Sequence, residues 1–187
     1  MYYHDIKHDD MLNGSGLRVT LFVSGCGHKC KNCQNPQTWS PKSGIKFDNR
    51  AVREIERQLE QDYISGLTLC GGDPLYKTNV SELTTLTSKL KVKYPDKNIW
   101  MYTGDLWENV KHLEIMQFID VLIDGPYIED LNDIHYPWAG STNQRVIDVQ
   151  ASLRSDEIVM YVDEAILNYE ERYKPTDIIK HHSSCCI

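Results

Sequence analysis

The feature that most constrains this chain is a group of three cysteines within eight residues, Cys26, Cys30 and Cys33. They follow the apolar run of residues 19–23, so a predicted strand leads directly into the loop that carries them. Cysteine thiolates are the usual ligands of iron–sulfur clusters, and electron-transfer clusters commonly use four of them. A loop that offers only three leaves one iron without a protein ligand, much as a catalytic zinc ion keeps one coordination position free. The spacing therefore predicts a cluster with one iron open to a substrate.

A structural zinc site is the main alternative for this loop, with His28 or Cys70 as the fourth ligand. Structural zinc sites usually take two ligands from each of two short pairs, and no second pair occurs near the loop. The iron–sulfur interpretation is therefore favoured, with a zinc-binding module without catalysis as the alternative. His28 is then expected to be an exposed loop residue and Cys70 a small buried residue, while Cys185 and Cys186 are expected to have no function.

Composition limits the class of protein. The 187 residues carry a formal net charge of −7, which argues against nucleic-acid binding because that affinity comes from clustered lysine and arginine side chains. No apolar run approaches the ~20 residues of a membrane span, and the first residues lack the pattern of a signal peptide. We therefore expect a cytoplasmic protein without membrane or nucleic-acid partners. It is predicted to form one domain over residues 1–187, with a C-terminal extension from about residue 155.

Strand and helix patterns alternate along most of the chain. Apolar runs with little alternation predict strands at residues 17–23, 66–70, 99–102 and 119–124. Apolar side chains at helical spacing predict helices after Asp48 and at residues 79–94 and 107–116. The remaining segments are predicted as a lead-in at residues 1–16, an irregular loop at 127–141, and late strands at 145–149 and 157–162. This order predicts an α/β fold with a mainly parallel sheet and helical crossovers.

The loops that follow the predicted strands carry the polar and glycine-rich motifs. They begin after Val23, Leu69, Tyr102 and Ile123. In parallel sheets the ligand site lies at the carboxyl ends of the strands, so we expect these loops to converge at one edge.

One helix and one strand after the cysteine loop comes Gly71-Gly72-Asp73-Pro74. This combination resembles the radical S-adenosylmethionine superfamily. Narrower motifs are Asn13-Gly14-x-Gly16-x-Arg18, Leu21-Phe22-Val23-Ser24-Gly25-Cys26, Cys33-x-Asn35-Pro36-x-Thr38-Trp39, Gly66-Leu67-Thr68-Leu69, Trp100-x-Tyr102-Thr103-Gly104, Asp120-Val121-Leu122-Ile123-Asp124-Gly125 and Gly140-Ser141-x-Asn143-Gln144-Arg145. Together these motifs resemble the activating proteins of the anaerobic ribonucleoside-triphosphate reductase, over roughly residues 10–150.

The resemblance implies a partial, open β/α barrel of the radical S-adenosylmethionine type. It implies that Cys26, Cys30 and Cys33 hold a 4Fe–4S cluster whose open iron binds the amino and carboxylate groups of S-adenosylmethionine. An electron from the cluster then cleaves this cofactor to methionine and a 5′-deoxyadenosyl radical, which takes a hydrogen atom from a glycine of the reductase large subunit. The electron is expected from a donor such as flavodoxin. Another glycyl-radical activase, of the pyruvate formate-lyase type, is the nearest alternative.

The turn Gly71-Gly72-Asp73-Pro74 is the candidate site for the methionine part of the cofactor. Gly71 and Gly72 let the backbone come close to a ligand, and carbonyl groups exposed there can accept from an ammonium group. Without the upstream cysteines, a simple strand-to-helix turn is the better interpretation. Asp73 is either a cofactor contact or a residue of the approach to the helix.

Four more polar residues are candidates for cofactor binding. Thr103 and Asp124 end predicted strands at the ligand edge, where they are placed to meet the ribose, the sulfonium or a cation; a plain turn role is the alternative. Asn143 is a candidate for the methionine carboxylate or the partner, with an exposed loop as the alternative. Asn32 precedes the third cysteine, where many superfamily members carry an aromatic that covers the adenine and this family often has glycine. The adenine contacts are therefore expected from elsewhere.

Overall fold

The computed structural model describes residues 1–173, which contain a seven-stranded sheet with the order β3-β1-β2-β4-β5-β6-β7. The strands are β1 (Tyr2–Asp10), β2 (Leu17–Val23), β3 (Ile45–Lys46), β4 (Ile64–Gly71), β5 (Asn98–Tyr102), β6 (Val121–Asp124) and β7 (Arg145–Asp148). Strands β2, β4, β5 and β6 run parallel to their neighbours in this group. Strands β1 and β7 flank them antiparallel, and β3 is antiparallel to β1. The sheet is therefore mixed, with a parallel centre.

The helices are α1 (Asn49–Leu59), α2 (Val80–Lys93), α3 (Trp107–Val110), α4 (Val149–Ser155) and α5 (Glu164–Tyr173). Helix α1 begins at a side-chain cap, because the Asp48 carboxylate accepts from the backbone N–H groups of Arg50 and Ala51. Helices α1 and α2 are the crossovers that allow β2, β4 and β5 to run parallel. Within residues 1–173, none of the helices combines the length and the apolarity that crossing a bilayer requires.

The predicted central strands and the two long helices are confirmed, but the edges of the sheet differ from the prediction. Residues 1–16 contain β1 rather than a lead-in; most of its side chains are only partly buried, so it lacks the apolar pattern of an inner strand. Residues 157–162 do not form a strand and make only an isolated bridge between Ile147 and Met160. Residues 107–116 divide into α3 and a 3₁₀ turn at Glu114–Phe118. The late strand at residues 145–149 is confirmed as β7, although it is antiparallel.

The two faces of the sheet are buried under different elements. On the first face, α1 and α2 cover the larger apolar cluster, which includes Leu21, Leu69 and Met101. On the second face, Trp100 and Ile123 belong to a smaller cluster with Ile166 of α5. Burial on both faces explains why the central strands show little alternation of apolar and polar residues.

The end of β1 is fixed by the buried carboxylate of Asp10. Its oxygens accept from Thr20 Oγ1 at 2.7 Å, Asn13 Nδ2 at 2.5 Å, the Leu12 backbone N–H at 3.0 Å and Lys7 Nζ at 2.9 Å. Burial alone would raise the pKa of Asp10, but these four hydrogen bonds outweigh it and lower the pKa to about 2. Asp10 thus ties β1 to β2 and to Asn13 beyond the end of the strand.

Asp10→Asn is expected to lower the free energy of unfolding by about 2 kcal/mol at neutral pH, because the amide cannot accept all four donors. A carboxylate whose pKa is depressed by folding stabilises the protein above its unfolded pKa of about 4, and this contribution is lost as the pH falls towards about 2. Urea unfolding at neutral pH and at about pH 3 measures the effect. The gap between wild type and variant should shrink at the lower pH; a gap of constant size would contradict this account. Asp9→Asn, at the exposed neighbouring carboxylate, is the control.

Candidate active site

The loops that follow the central strands converge on one pocket, as predicted. The pocket lies at the carboxyl ends of β2, β4, β5 and β6. Its lining includes Asn13, Cys26, His28, Cys30, Cys33, Gln34, Asn35, Trp39, Cys70, Gly71, Gly72, Asp73, Tyr102, Thr103, Gly104, Gly125, Tyr127, Gly140 and Gln144. The three cysteines of the loop and the glycine-rich turn after β4 therefore face the same space.

Backbone hydrogen bonds fix the beginning of the cysteine loop. The N–H groups of Gly25 and Cys26 donate to the carbonyls of Thr38 and Trp39, at 2.7 and 3.1 Å. The loop therefore closes on itself, with its cysteines between two anchored ends. Asn32, directly before Cys33, has a φ of 52°, in the left-handed region where asparagine and glycine are the best-tolerated residues.

The donor set of the loop fits an iron–sulfur cluster. Cys26, Cys30 and Cys33 are free thiols of intermediate exposure. Burial raises the pKa of Cys26, so a metal is what would hold it as a thiolate. Cys70 also reaches the pocket, but its burial raises the pKa of its thiol far above the usual range and favours the protonated form. Within residues 1–173 the pocket thus offers three suitable thiols, and Cys185 and Cys186 lie outside the described residues.

The Gly71-Gly72-Asp73-Pro74 turn is joined to the cysteine loop by its backbone. The N–H groups of Gly72 and Asp73 donate to the carbonyls of Val23 and Gly25, at 2.8 and 2.7 Å. Gly71 has a φ of +99°, and a Cβ at Gly72 would lie 2.6 Å from the Gly25 carbonyl oxygen. Both glycines are needed for this close approach of two backbones.

Asp73 is the centre of the polar contacts in the pocket wall. Its buried carboxylate accepts from His28 Nε2 at 2.6 Å, Thr103 Oγ1 at 3.1 Å, the Gly104 N–H at 3.3 Å and the Leu75 N–H at 2.8 Å. The hydrogen bond from His28 to Asp73 raises the pKa of the imidazole, because it favours the charged form. One carboxylate therefore connects the cysteine loop, the turn after β4 and the loop after β5.

The other candidate residues are arranged in different ways. Thr103 is drawn into the pocket by its bond to Asp73. Asp124 is fully buried and accepts from Arg145, at 3.0 Å from Nε and 2.5 Å from Nη2, as well as from the Trp107 backbone N–H. Asn143 donates to the Pro126 carbonyl at 2.8 Å. Neither Asp124 nor Asn143 is among the lining residues within the described chain, so a direct cofactor contact from them stays a prediction.

The side chain of Asn32 is engaged by another residue of the protein, which argues against a role in covering the adenine. Its side-chain amide donates to the carboxylate of Glu129, which also forms an ion pair with Lys31 at 3.0 Å. This contact joins the cysteine loop to the short 3₁₀ turn at Glu129–Leu131. A cofactor contact from the Asn32 side chain therefore also stays a prediction.

Three residues with a clear place in the site were not predicted from the sequence. His28 is an exposed loop residue, as expected, but its ring also bonds to Asp73, which the sequence did not indicate. Buried Asn79, at the start of α2, donates to the carbonyls of Ser24 and Asp73 at 2.9 and 3.0 Å, which holds the two loops together. Gln144 reaches the pocket and donates to the Gly125 carbonyl at 3.0 Å. The position of Gln144 within the motif at residues 140–145 was the one available signal.

Comparisons with known proteins show the family to which the chain belongs. A family model described as a 4Fe–4S single cluster domain matches residues 12–147. The chain is 45% identical over 146 residues to the anaerobic ribonucleoside-triphosphate reductase-activating protein of Enterobacteria phage T4, covering 78% of this chain and 93% of that protein. Proteins of the same name from Haemophilus influenzae and Escherichia coli K12 are 41% and 39% identical, covering 77% and 78% of this chain and 96% and 97% of theirs. This chain therefore belongs to the family of anaerobic ribonucleoside-triphosphate reductase-activating proteins.

Proposed function

We propose that this protein activates the anaerobic ribonucleoside-triphosphate reductase by reductive cleavage of S-adenosylmethionine, which generates a glycyl radical on the large subunit. The observation that carries the proposal is the meeting of three half-buried thiols and the Gly71-Gly72-Asp73-Pro74 turn in one pocket. The relatives that share 39–45% identity with the chain are activating proteins by name. When bound, the cluster supplies the single electron that the cleavage of the cofactor requires.

The cysteine loop supplies the ligands of that cluster. Cys26, Cys30 and Cys33 would hold three irons as thiolates, whereas burial keeps Cys70 protonated. The backbone bonds from Gly25 and Cys26 to Thr38 and Trp39 join the two ends of the loop that carries the thiols. The pocket beside them would leave room for the cofactor next to the cluster.

The turn after β4 binds the methionine end of the cofactor. The N–H groups of Gly72 and Asp73 already donate to Val23 and Gly25, and the Asp73 carbonyl accepts from Asn79, so the Gly72 carbonyl oxygen is the acceptor that the turn has to offer. Carbonyl oxygens accept from an ammonium group, which is the chemistry of the methionine amino group. Asp73 acts as a positioning residue through its bonds to His28 and Thr103. Thr103, Asp124, Asn143 and Asn32 are retained as candidates for the remainder of the cofactor.

The proposed function also suggests the type of fold, the partners and the cellular compartment of the protein. We propose that the sheet is the partial, open form of the β/α barrel, and that residues 1–187 form one domain. The partner is the large subunit of the reductase, and the electron comes from a donor such as flavodoxin. A net charge of −7 disfavours a nucleic-acid partner. Free thiols at the site require a reducing compartment, so we place the protein in the cytoplasm.

Anaerobic turnover tests the proposed function. The reconstituted protein is mixed with dithionite, S-adenosylmethionine and the reductase, and both 5′-deoxyadenosine and the glycyl signal in electron spin resonance are measured. We expect both products together. A colourless, zinc-loaded protein that consumes no S-adenosylmethionine would overturn the proposal. A glycyl signal on pyruvate formate-lyase, and none on the reductase, would assign the chain to a different partner.

His28→Ala is expected to weaken S-adenosylmethionine binding roughly five-fold while the cluster is retained, because one hydrogen bond between the cysteine loop and Asp73 is lost. His28→Gln keeps an N–H donor and should recover part of the affinity. Equilibrium binding to the anaerobically reconstituted protein measures both variants. His8→Ala is the matched control, since His8 also bonds to a carboxylate, Glu54 at 3.0 Å, outside the pocket. Equal effects at His8 and His28 would rule out a specific role for the bond to Asp73.

A further inference from the structure

The segment of residues 157–173 lies beyond the family match, which ends at residue 147. It returns to the sheet at Tyr161, whose N–H donates to the Val146 carbonyl at 2.8 Å. The Tyr161 ring then meets Trp100 edge to face, with 5.1 Å between ring centroids. Farther along, Ile166 of α5 joins the same apolar cluster on the second face of the sheet. The segment is therefore part of the packed structure.

Helix α5 also holds the rim loop, which we define as residues 132–140. The Tyr169 hydroxyl donates to Asp133 Oδ2 at 2.8 Å. The Tyr169 ring lies 5.2 Å from that of Tyr136, and Tyr173 stacks on His135 at 4.7 Å and 14°. Helix α5 thus holds the rim loop at residues 133–136, through one hydrogen bond and two ring contacts.

Within the rim loop, Trp138 has an unusual backbone conformation, with a φ of 66°. A bulky residue in this left-handed region is strained and keeps that conformation only where its surroundings enforce it. Asp163, just before α5, accepts from the Trp138 indole N–H at 3.0 Å. The Tyr102 hydroxyl donates to the Trp138 carbonyl at 2.6 Å, and Trp100 meets the ring edge to face at 5.8 Å. Asp163 is thus the residue through which the segment 157–173 binds the side chain of Trp138.

The strained residue stands next to the pocket. Two residues after Trp138, the Gly140 N–H donates to Gln144 Oε1 at 2.9 Å. Gly140, Gln144 and Tyr102 all line the pocket that contains the cysteines. Trp138 is therefore separated from a residue of the pocket wall by a single residue of the chain.

We propose that residues 157–173 are a positioning segment for the pocket. Asp163 holds Trp138 in its left-handed conformation, and this keeps the wall at Gly140 and Gln144 in the position that the pocket ligand requires. The identity of that ligand, S-adenosylmethionine, rests on the proposed function. The structural effect of Asp163 on Trp138 and Gly140 does not depend on the proposed function.

Trp138→Phe tests the proposal because it removes the indole N–H and leaves an aromatic ring. In the full-length protein, hydrogen exchange of residues 138–144 should become roughly five-fold faster, as expected for one lost hydrogen bond. After reconstitution, the dissociation constant of S-adenosylmethionine should rise by a similar factor at unchanged iron content. Asp163→Asn is the second variant: its amide oxygen can still cap α5 at the Ile166 N–H, but its NH₂ group faces the indole. Trp107→Phe, at a buried tryptophan outside the pocket lining, is the control.

Faster exchange and weaker binding in both variants, but not in the control, support the proposal. Exchange that is unchanged at residues 138–144, or altered only within residues 157–173, would overturn it, since the segment would then merely cover the sheet. Faster exchange with unchanged affinity would overturn the link to the ligand. If the wild-type protein binds no S-adenosylmethionine, the proposed function fails, and the exchange measurement still decides the positioning role. Exchange needs no cluster, so a variant that loses iron is still tested.

Discussion

Replacing any one of Cys26, Cys30 and Cys33 by alanine is expected to leave protein that retains almost no iron and cleaves no S-adenosylmethionine. The loss should exceed the roughly 100-fold that removal of an outer-shell partner costs, because a direct ligand disappears. Two of the three half-exposed thiols that line the pocket within residues 1–173 would remain as ligands, because the fourth, Cys70, is buried and protonated. Iron and sulfide content, the visible absorption spectrum and 5′-deoxyadenosine formation measure the effect.

Cys70→Ala is the matched control for these three variants. Cys70 lines the same pocket, but it is buried, and burial favours the protonated form of its thiol. Its loss should leave iron content and cleavage intact, at a small cost in stability from the lost side-chain volume. Loss of the cluster in Cys70→Ala, or its retention in one of the other three, would require a different ligand set.

Asp73→Ala is expected to destabilise the protein by roughly 3 kcal/mol and to abolish S-adenosylmethionine binding. The substitution leaves the Leu75 and Gly104 N–H groups and the Thr103 hydroxyl without their acceptor in a buried place. It also releases His28, so the cysteine loop and the turn after β4 lose a common partner. Urea unfolding measures the first effect, and equilibrium binding to the reconstituted protein measures the second.

Asp96→Ala provides the comparison for Asp73→Ala. Asp96 is an exposed carboxylate before β5, at the end of the sheet opposite the pocket. It should change unfolding by less than about 0.5 kcal/mol and leave binding unaltered. If Asp73→Ala bound S-adenosylmethionine as tightly as the wild type at the same iron content, Asp73 would be a residue of folding stability alone.

The sequence predicted the centre of the molecule well and its edges poorly. Strands β2, β4 and β5 are buried on both faces, so each leaves a run of apolar residues that is visible without a structure. Strand β1 is largely polar and partly exposed, and its pairing with β2 depends on contacts such as the bond from Thr20 to Asp10. Hydrogen bonds between polar side chains cannot be predicted from the pattern of apolar residues.

The roles of polar residues at the ends of strands were harder to predict than those of the cysteines. Asp124 and Thr103 both end central strands and were indistinguishable in sequence. In the structure, Thr103 turns to Asp73 in the pocket, whereas Asp124 pairs with Arg145. The side to which a polar residue turns is decided by the nearest partner of opposite charge or complementary hydrogen bonding, and that partner can lie anywhere in the chain.

By itself the sequence determined the parallel centre of the sheet, the edge at which the loops meet and the three thiols with a neighbouring glycine turn. These follow from local causes: the burial of each strand, the short spacing of the cysteines and the backbone freedom of glycine. Only the tertiary structure decided that His28, Asn79 and Thr103 converge on the turn at Asp73, and that Asp163 constrains Trp138. Most of these contacts join residues that are tens of positions apart, and a hydrogen bond between two such residues leaves no periodic signal in either segment.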